Sequence, residues 1–136
     1  MNFEPLLEAA RKVLSPRRLT DYVEAGQVAA ALMTDRGNIY TGVCIDAACS
    51  VGFCAEHAAA AAMITAGESK VVQMVAVDRD GTALPPCGRC REFISQLHDD
   101  NLHAAVLLPG GHTMRLLELM PFDWKESRRI RMAEKK

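Results

Sequence analysis

Along residues 4–15, Leu6, Leu7, Ala10, Val13 and Leu14 fall on one side of a 3.6-residue repeat, with charged residues between them. The spacing predicts an amphipathic helix. Pro5 suits its first turn, where a backbone N–H has no helical partner to lose. Further on, the pattern changes. "QVAAALMTDRGNIYTGVCI" is two apolar, β-rich runs split by Asp35-Arg36-Gly37-Asn38, which reads as a hairpin. "CAEHAAAAAMITAG" is helical by propensity, with Gly67 placed to stop it. "KVVQMVAVD" reads as a buried strand and "RDGTALPP" as turn-rich chain. "CGRCREFISQLH" predicts a further helix with Cys90, Ile94 and Leu97 on one face, and "LHAAVLLP" a last apolar strand.

From residue 38 the order is therefore strand, helix, strand, helix, strand. Crossover helices between apolar strands imply a parallel arrangement with right-handed connections. The preceding hairpin makes the sheet mixed. The expected fold is α/β, a mixed β-sheet with crossover helices in three layers, as a single domain over residues 1–136. Within it, 1–16 is an N-terminal helix, 26–124 a catalytic core and 125–136 a basic C-terminal tail.

Composition narrows the functional classes. With 136 residues, 49% of them hydrophobic, the chain is long and apolar enough to bury a core. Sixteen basic residues against seventeen acidic give a net charge of −1, which argues against a nucleic-acid partner, since such a partner calls for a basic face. The basic cluster "KESRRIRMAEKK" reads as a solvated helix end. The longest apolar run, "AAAAAMI", is far short of the roughly 20 residues that span a bilayer. Glu4 and Glu8 interrupt the start of the chain where a signal peptide would be basic and then apolar. The expectation is a cytoplasmic protein without a membrane partner, its five cysteines reduced.

Cys87 and Cys90 open one predicted helix and Cys54 the other. Helix N-termini present unpaired N–H groups that favour thiolates. In a parallel arrangement both helix starts lie at one sheet edge, so three thiolates are expected to converge there. Alanines 58–62 would let the two helices approach closely. Three readings follow. Cys87-x-x-Cys90 alone is a redox pair. Cys54, His57, Cys87 and Cys90 together make a closed structural zinc set. Cys54, Cys87 and Cys90 alone leave a fourth zinc position open for water. Glu56 favours the last, because C-x-E joined to a downstream P-C-x-x-C is the arrangement of zinc deaminases, with the glutamate as proton carrier. It carries a geometric condition. Helical positions two apart point about 200° apart, so Cys54 must sit at the cap, out of helical phase.

"CAEHAAAA…PPCGRCREF" resembles the cytidine deaminase family, its blasticidin S deaminases in particular, whose motifs read C-A-E and P-C-G-x-C-R. The similarity runs from about Val28 to Trp124. The resemblance implies a zinc-dependent hydrolytic deaminase of a cytosine-type nucleoside, with one Zn²⁺ per chain on Cys54, Cys87 and Cys90 and Glu56 as general acid/base. It implies a homotetramer, or alternatively a dimer, with sites near subunit boundaries. It places Asp46, Ala55 and Trp124 (in "LMPFDW") beside the substrate, Trp124 as an aromatic lid. His57 stands where the family has an arginine, and with Arg91 it is expected just outside the sulfurs; Arg89 and Arg91 flank Cys90. Two segments depart from the nucleoside pattern. Gly26-Gln27-Val28-Ala29-Ala30 replaces F-P-V-G-A, and Cys44-Ile45-Asp46 replaces N-x-E. Asp46 keeps a carboxylate, whereas Cys44 lacks an amide's paired donor and acceptor. The substrate expected is cytidine, deoxycytidine or a modified cytosine nucleoside such as blasticidin S. Cys44 and Cys49 are expected to be packed thiols. The rivals are a structural zinc domain, or a diverged fold that binds a nucleoside-like ligand without turnover.

Overall fold

A computed structural model of the chain describes residues 2–126 and 128. In chain order it contains α1 (Glu4–Val13), β1 (Arg17–Arg18), β2 (Val23–Thr34), β3 (Ile39–Ala47), α2 (Ala55–Thr65), β4 (Val71–Val77), β5 (Ala83–Leu84), α3 (Gly88–Leu97), β6 (Ala105–Leu107) and β7 (Thr113–Arg115). Of the expected basic tail 125–136, residue 127 and residues 129–136 lie outside the described residues.

The hairpin forms as predicted, β2 pairing antiparallel with β3. On its other side β2 pairs antiparallel with β4, and β4 pairs parallel with β6. Hence β3, β4 and β6 all point one way, with β2 running against them between β3 and β4. The apolar continuity of β2 has a direct cause. Successive side chains leave opposite faces of a strand, and both faces here are covered. Ala29 and Ala31 pack under α1 with Leu6, Ala10, Val75 and Val77. Leu32 packs on the other face with Met63 of α2, Ile94 of α3, Met74 and Val106. The result is the expected three layers.

Local details depart from the spacing. Helix α1 stops at Val13 rather than residue 15, with Leu14 already extended (φ −61°, ψ 118°). Ser15 precedes Pro16, a position that disfavours helical backbone. The last strand is shorter than predicted because residues Asp99–His103 wind into a 3₁₀ turn. Asn101, fully buried in that turn, explains it. Its Oδ1 accepts from Val71 N–H (2.7 Å), and its Nδ2 donates to the carbonyls of Ile94 (2.9 Å) and Ser69 (3.1 Å). One amide thus ties the start of β4 to α3.

The alanine run also serves a different contact from the one expected. Ala59 and Ala60 are buried in the core, while Ala61 and Ala62 are exposed. A Cβ on Gly42 of β3 would lie 2.4 Å from the Ala59 nitrogen and 2.6 Å from the Ala58 Cβ. The small residues therefore let α2 settle onto β3, close enough for backbone contact. Asn101→Ala would strand a buried N–H and two carbonyls, and is expected to destabilise the fold by about 3 kcal/mol, measured as a lowered urea midpoint with an unchanged slope.

Candidate metal centre and active site

Helices α2 and α3 begin at the edge where β3 and β4 end. Cys54 is the N-cap of α2, extended at φ −75°, ψ 158°. Cys87 is the N-cap of α3 in nearly the same conformation, φ −67°, ψ 165°. Cys90 follows in the first turn of α3. The phase condition set by C-x-E is therefore met: Cys54 stands outside the helical repeat. The chain reaches that cap by folding back on β3, with Ile45 and Phe53 exchanging backbone bonds of 3.0 and 2.9 Å. Gly52 makes this possible, since a Cβ there would fall 2.0 Å from the Ile45 oxygen. The loop before Cys87 is held by Arg91, whose Nε donates to the Pro86 carbonyl (2.8 Å) and Nη1 to that of Leu119 (3.0 Å). Arg91 thus supports the cysteine loop through its backbone.

The three sulfurs converge. Cys54 Sγ lies 3.6 Å from Cys87 Sγ, which lies 3.4 Å from Cys90 Sγ. Among the described residues, Cys54, Cys87 and Cys90 form the group whose ligand atoms all lie within 4.8 Å of one another. Tetrahedral Zn–S bonds of about 2.3 Å put sulfurs about 3.8 Å apart, so this triangle fits one Zn²⁺ with little adjustment. His57 is not in that group. Its Nδ1 is 3.4 Å from Cys90 Sγ, and its ring stacks on Phe93 at 4.2 Å and 6°.

Burial dominates the electrostatics. It pushes the Cys90 thiol far up, with the Glu56 charge and the neighbouring sulfurs adding to it. It raises Cys54 too, helped by Cys87. Burial also pushes Cys87 up, but the Cys90 backbone N–H and the other two sulfurs outweigh it, and Cys87 ends below its ordinary value. Glu56 is only 4% exposed, and burial holds its carboxyl above the usual range against its own backbone N–H and the Cys90 thiol. Burial lowers His57, and the Arg89 charge lowers it further, so its imidazole is neutral near pH 7.

A cavity of about 500 Å³ opens beside this cluster. Cys54, Glu56 and Cys87 line it, as do Ala55 and Asp46, the first fully buried and the second exposed. Arg89 rather than Arg91 is the arginine on its wall. Within a single copy of the chain Trp124 stands apart from this cavity. It is 60% exposed, its backbone N–H donates to Glu92 Oε1 (2.7 Å), and it borders a separate cavity with Gln96 and His103. Cys49 is exposed, not packed, because the loop carrying it bends through left-handed backbone at Cys49 (φ 60°) and Ser50 (φ 57°). Cys44 is buried as expected. The sequence reading passed over Ser50, Gly52, Phe53, Gln27 and Val28 as cavity lining. It also missed the Phe93 stack, whose only signal was a position three after Cys90.

The fold and the cluster together define a three-layer α/β protein with a thiolate metal centre at two helix N-termini. Solved structures of the same shape include a cytidine deaminase from Mycobacterium leprae (TM-score 0.76, 26% identity, covering 90% of this chain and 99% of that one). A cytidine deaminase from Bacillus anthracis shares the fold at TM-score 0.71 and 22% identity, over 96% and 95% of the two chains. A curated relative, a cytidine deaminase from Mycobacterium tuberculosis, is 34% identical over 68 residues, 49% of this chain. That match spans about half the relative's length (51%). The family described as cytidine and deoxycytidylate deaminase zinc-binding region matches residues 4–106, and the chain belongs to it.

Ligand thiols must lose their protons to bind a metal. Stripping zinc with a chelator is therefore expected to lower Tm, and one equivalent of Zn²⁺ to restore it. Bound metal competes with protons, so the Zn²⁺-induced rise should grow as pH increases from 6 toward 9 and shrink as pH falls. Calorimetry at several pH values checks this, and Cys90→Ser should remove most of the rise.

Proposed function

We propose that the protein is a zinc-dependent hydrolytic deaminase of a cytosine-type nucleoside, releasing ammonia. The observation that carries this reading is a buried Glu56 next to three clustered sulfurs, two of them on the cavity that Glu56 also lines. When bound, Zn²⁺ would be held by Cys54, Cys87 and Cys90 and would supply an acidified water. Glu56 would carry the two protons that hydrolysis moves: one from water to the ring nitrogen beside the amino-bearing carbon as a C–O bond forms there, and one from the added hydroxyl to the amine, which leaves as ammonia when the C–N bond breaks. Its carboxyl suits the task because burial raises its affinity for the proton in transit. Ala55, beside Glu56 on the cavity wall, bounds the ring. His57, neutral, lends a hydrogen bond to Cys90, and Arg91 keeps Cys87 in place.

Cytidine, deoxycytidine and a modified cytosine nucleoside such as blasticidin S are the candidate substrates. Cys44 in place of an amide favours the modified class, with Asp46 reading the substituent at the rim. The chain acts as a homo-oligomer, a tetramer or else a dimer. Exposed Phe122 (87%), Tyr22 (75%), Val51 (73%) and Trp124 support this, and Trp124 would then close the cavity of a second copy. Residues 26–124 form the catalytic core. A cytoplasmic, reducing setting accords with the free cysteines, and no helix among the described residues is long and apolar enough to cross a membrane.

Glu56→Gln is expected to keep its zinc and reduce ammonia release by about 10²- to 10⁴-fold. Metal analysis and kinetics on the three candidate substrates check both halves. His57→Ala should also keep zinc, whereas a four-ligand structural site would lose it. A wild type that holds zinc yet turns over none of the panel would sink the deaminase reading.

A further inference from the structure

The two segments that depart from the family pattern meet at one place in the fold. Strand β2 shifts register against β3 between Ala25 and Ala29. Gly26 sits in that irregularity at φ +83°, where a Cβ would fall 2.1 Å from the Ser15 oxygen. The next residue, Gln27, reaches the cavity wall. Its amide is held at both ends: Nε2 donates to Glu24 Oε2 (3.1 Å), and Oε1 accepts from Cys44 Sγ (3.3 Å). Cys44 Sγ in turn accepts from the Val28 backbone N–H (3.3 Å). Cys44 is 6% exposed, and both bonds of its thiol run within the protein.

An amide carries two N–H donors and two acceptor lone pairs. With one of each engaged, Gln27 retains one of each, on a cavity that Val28, Ala76 and Leu84 line together with the polar Asp46, Ser50 and Arg89. The geometry points to Gln27 as a specificity-determining residue that hydrogen-bonds the hydroxyl-bearing substituent on the cytosine ring. Cys44 is the positioning residue that fixes its amide. This rests on the deaminase reading, and it concerns the substituent rather than the ring.

The test compares wild type, Gln27→Leu, Cys44→Ser and Cys44→Val, each loaded with zinc. KM and kcat are measured on the best substrate among cytidine, deoxycytidine and blasticidin S. The inhibition constant of 1-methylcytosine, which has the ring without a polar substituent, is measured alongside. Gln27→Leu should raise KM about 10- to 100-fold, with kcat and the 1-methylcytosine constant nearly unchanged. Cys44→Val should shift KM in the same direction by less, and Cys44→Ser, which keeps a donor and an acceptor, should stay near wild type. A Gln27→Leu variant with wild-type KM, or one in which KM and the 1-methylcytosine constant rise together, overturns the inference while the deaminase reading stands. A wild type silent on every substrate overturns both. Should Cys44→Val fail to fold, Gln27→Leu decides alone.

Discussion

The structure depends on the parallel sense of β3 and β4, two strands that do not pair with each other. Because β2 lies between them and runs the other way, the helices that follow β3 and β4 must both start at one edge of the sheet. That shared edge brings two N-caps together, and each cap is a cysteine in extended backbone. Each sulfur therefore leaves from a helix start, and neither makes a capping hydrogen bond of its own. The 3.6 Å between the sulfurs of Cys54 and Cys87 is thus a consequence of topology before it is a consequence of side-chain packing. Two glycines bring the parts close enough: Gly42 lets α2 settle on β3, and Gly52 lets the incoming loop touch Ile45.

Charge explains why such a cluster calls for a cation. Without one, burial favours the protonated forms of Cys90 and Cys54, and the nearby Glu56 deepens the effect on both. A divalent ion reverses this logic, since a coordinating thiol gives up its proton outright. Three thiolates on one Zn²⁺ still leave a formal −1. His57 Nδ1 lies 3.4 Å from the Cys90 sulfur, and burial together with the Arg89 charge disfavours its charged form. Glu56 is buried and holds protons more tightly than an exposed carboxyl, so it is suited to carry a proton rather than to ligate.

Most of this centre was legible in the sequence because its parts are local. C-x-E places a cap residue and a first-turn residue, P-C-x-x-C places another cap and its first turn, and strand–helix alternation supplies the shared edge. The parts that were not legible are tertiary. Alanines 58–62 carry no sign of which neighbour they approach, and Gly42, which decides it, lies on another element. Cys49 looked like any packed thiol until the loop's left-handed backbone turned it outward. Trp124 follows Leu-Met-Pro at a familiar spacing, yet spacing says nothing about whose cavity an aromatic faces. Asn101, the amide that joins β4 to α3, has no motif at all.

The division of labour follows the same lines. In the proposed reading, residues for chemistry sit on helix starts and residues for recognition on β2 and β3, where Ala25 pairs with Ile45 and Glu24 with Asp46. Side chains on a paired ladder are not independent: a shift of one residue sends every side chain to the opposite face. Cys44 and Gln27 lie where that ladder is interrupted, between the Ala25–Ile45 and Ala29–Val43 pairs, so a change at Cys44 is felt at Gln27 through the bond from its thiol to the Gln27 amide oxygen. Departures from the family pattern on β2 and on β3 are in this sense one departure. The α2 cap is anchored through backbone bonds at Ile45–Phe53 and the α3 cap through Arg91, so side chains on the strands can change while these backbone anchors stay.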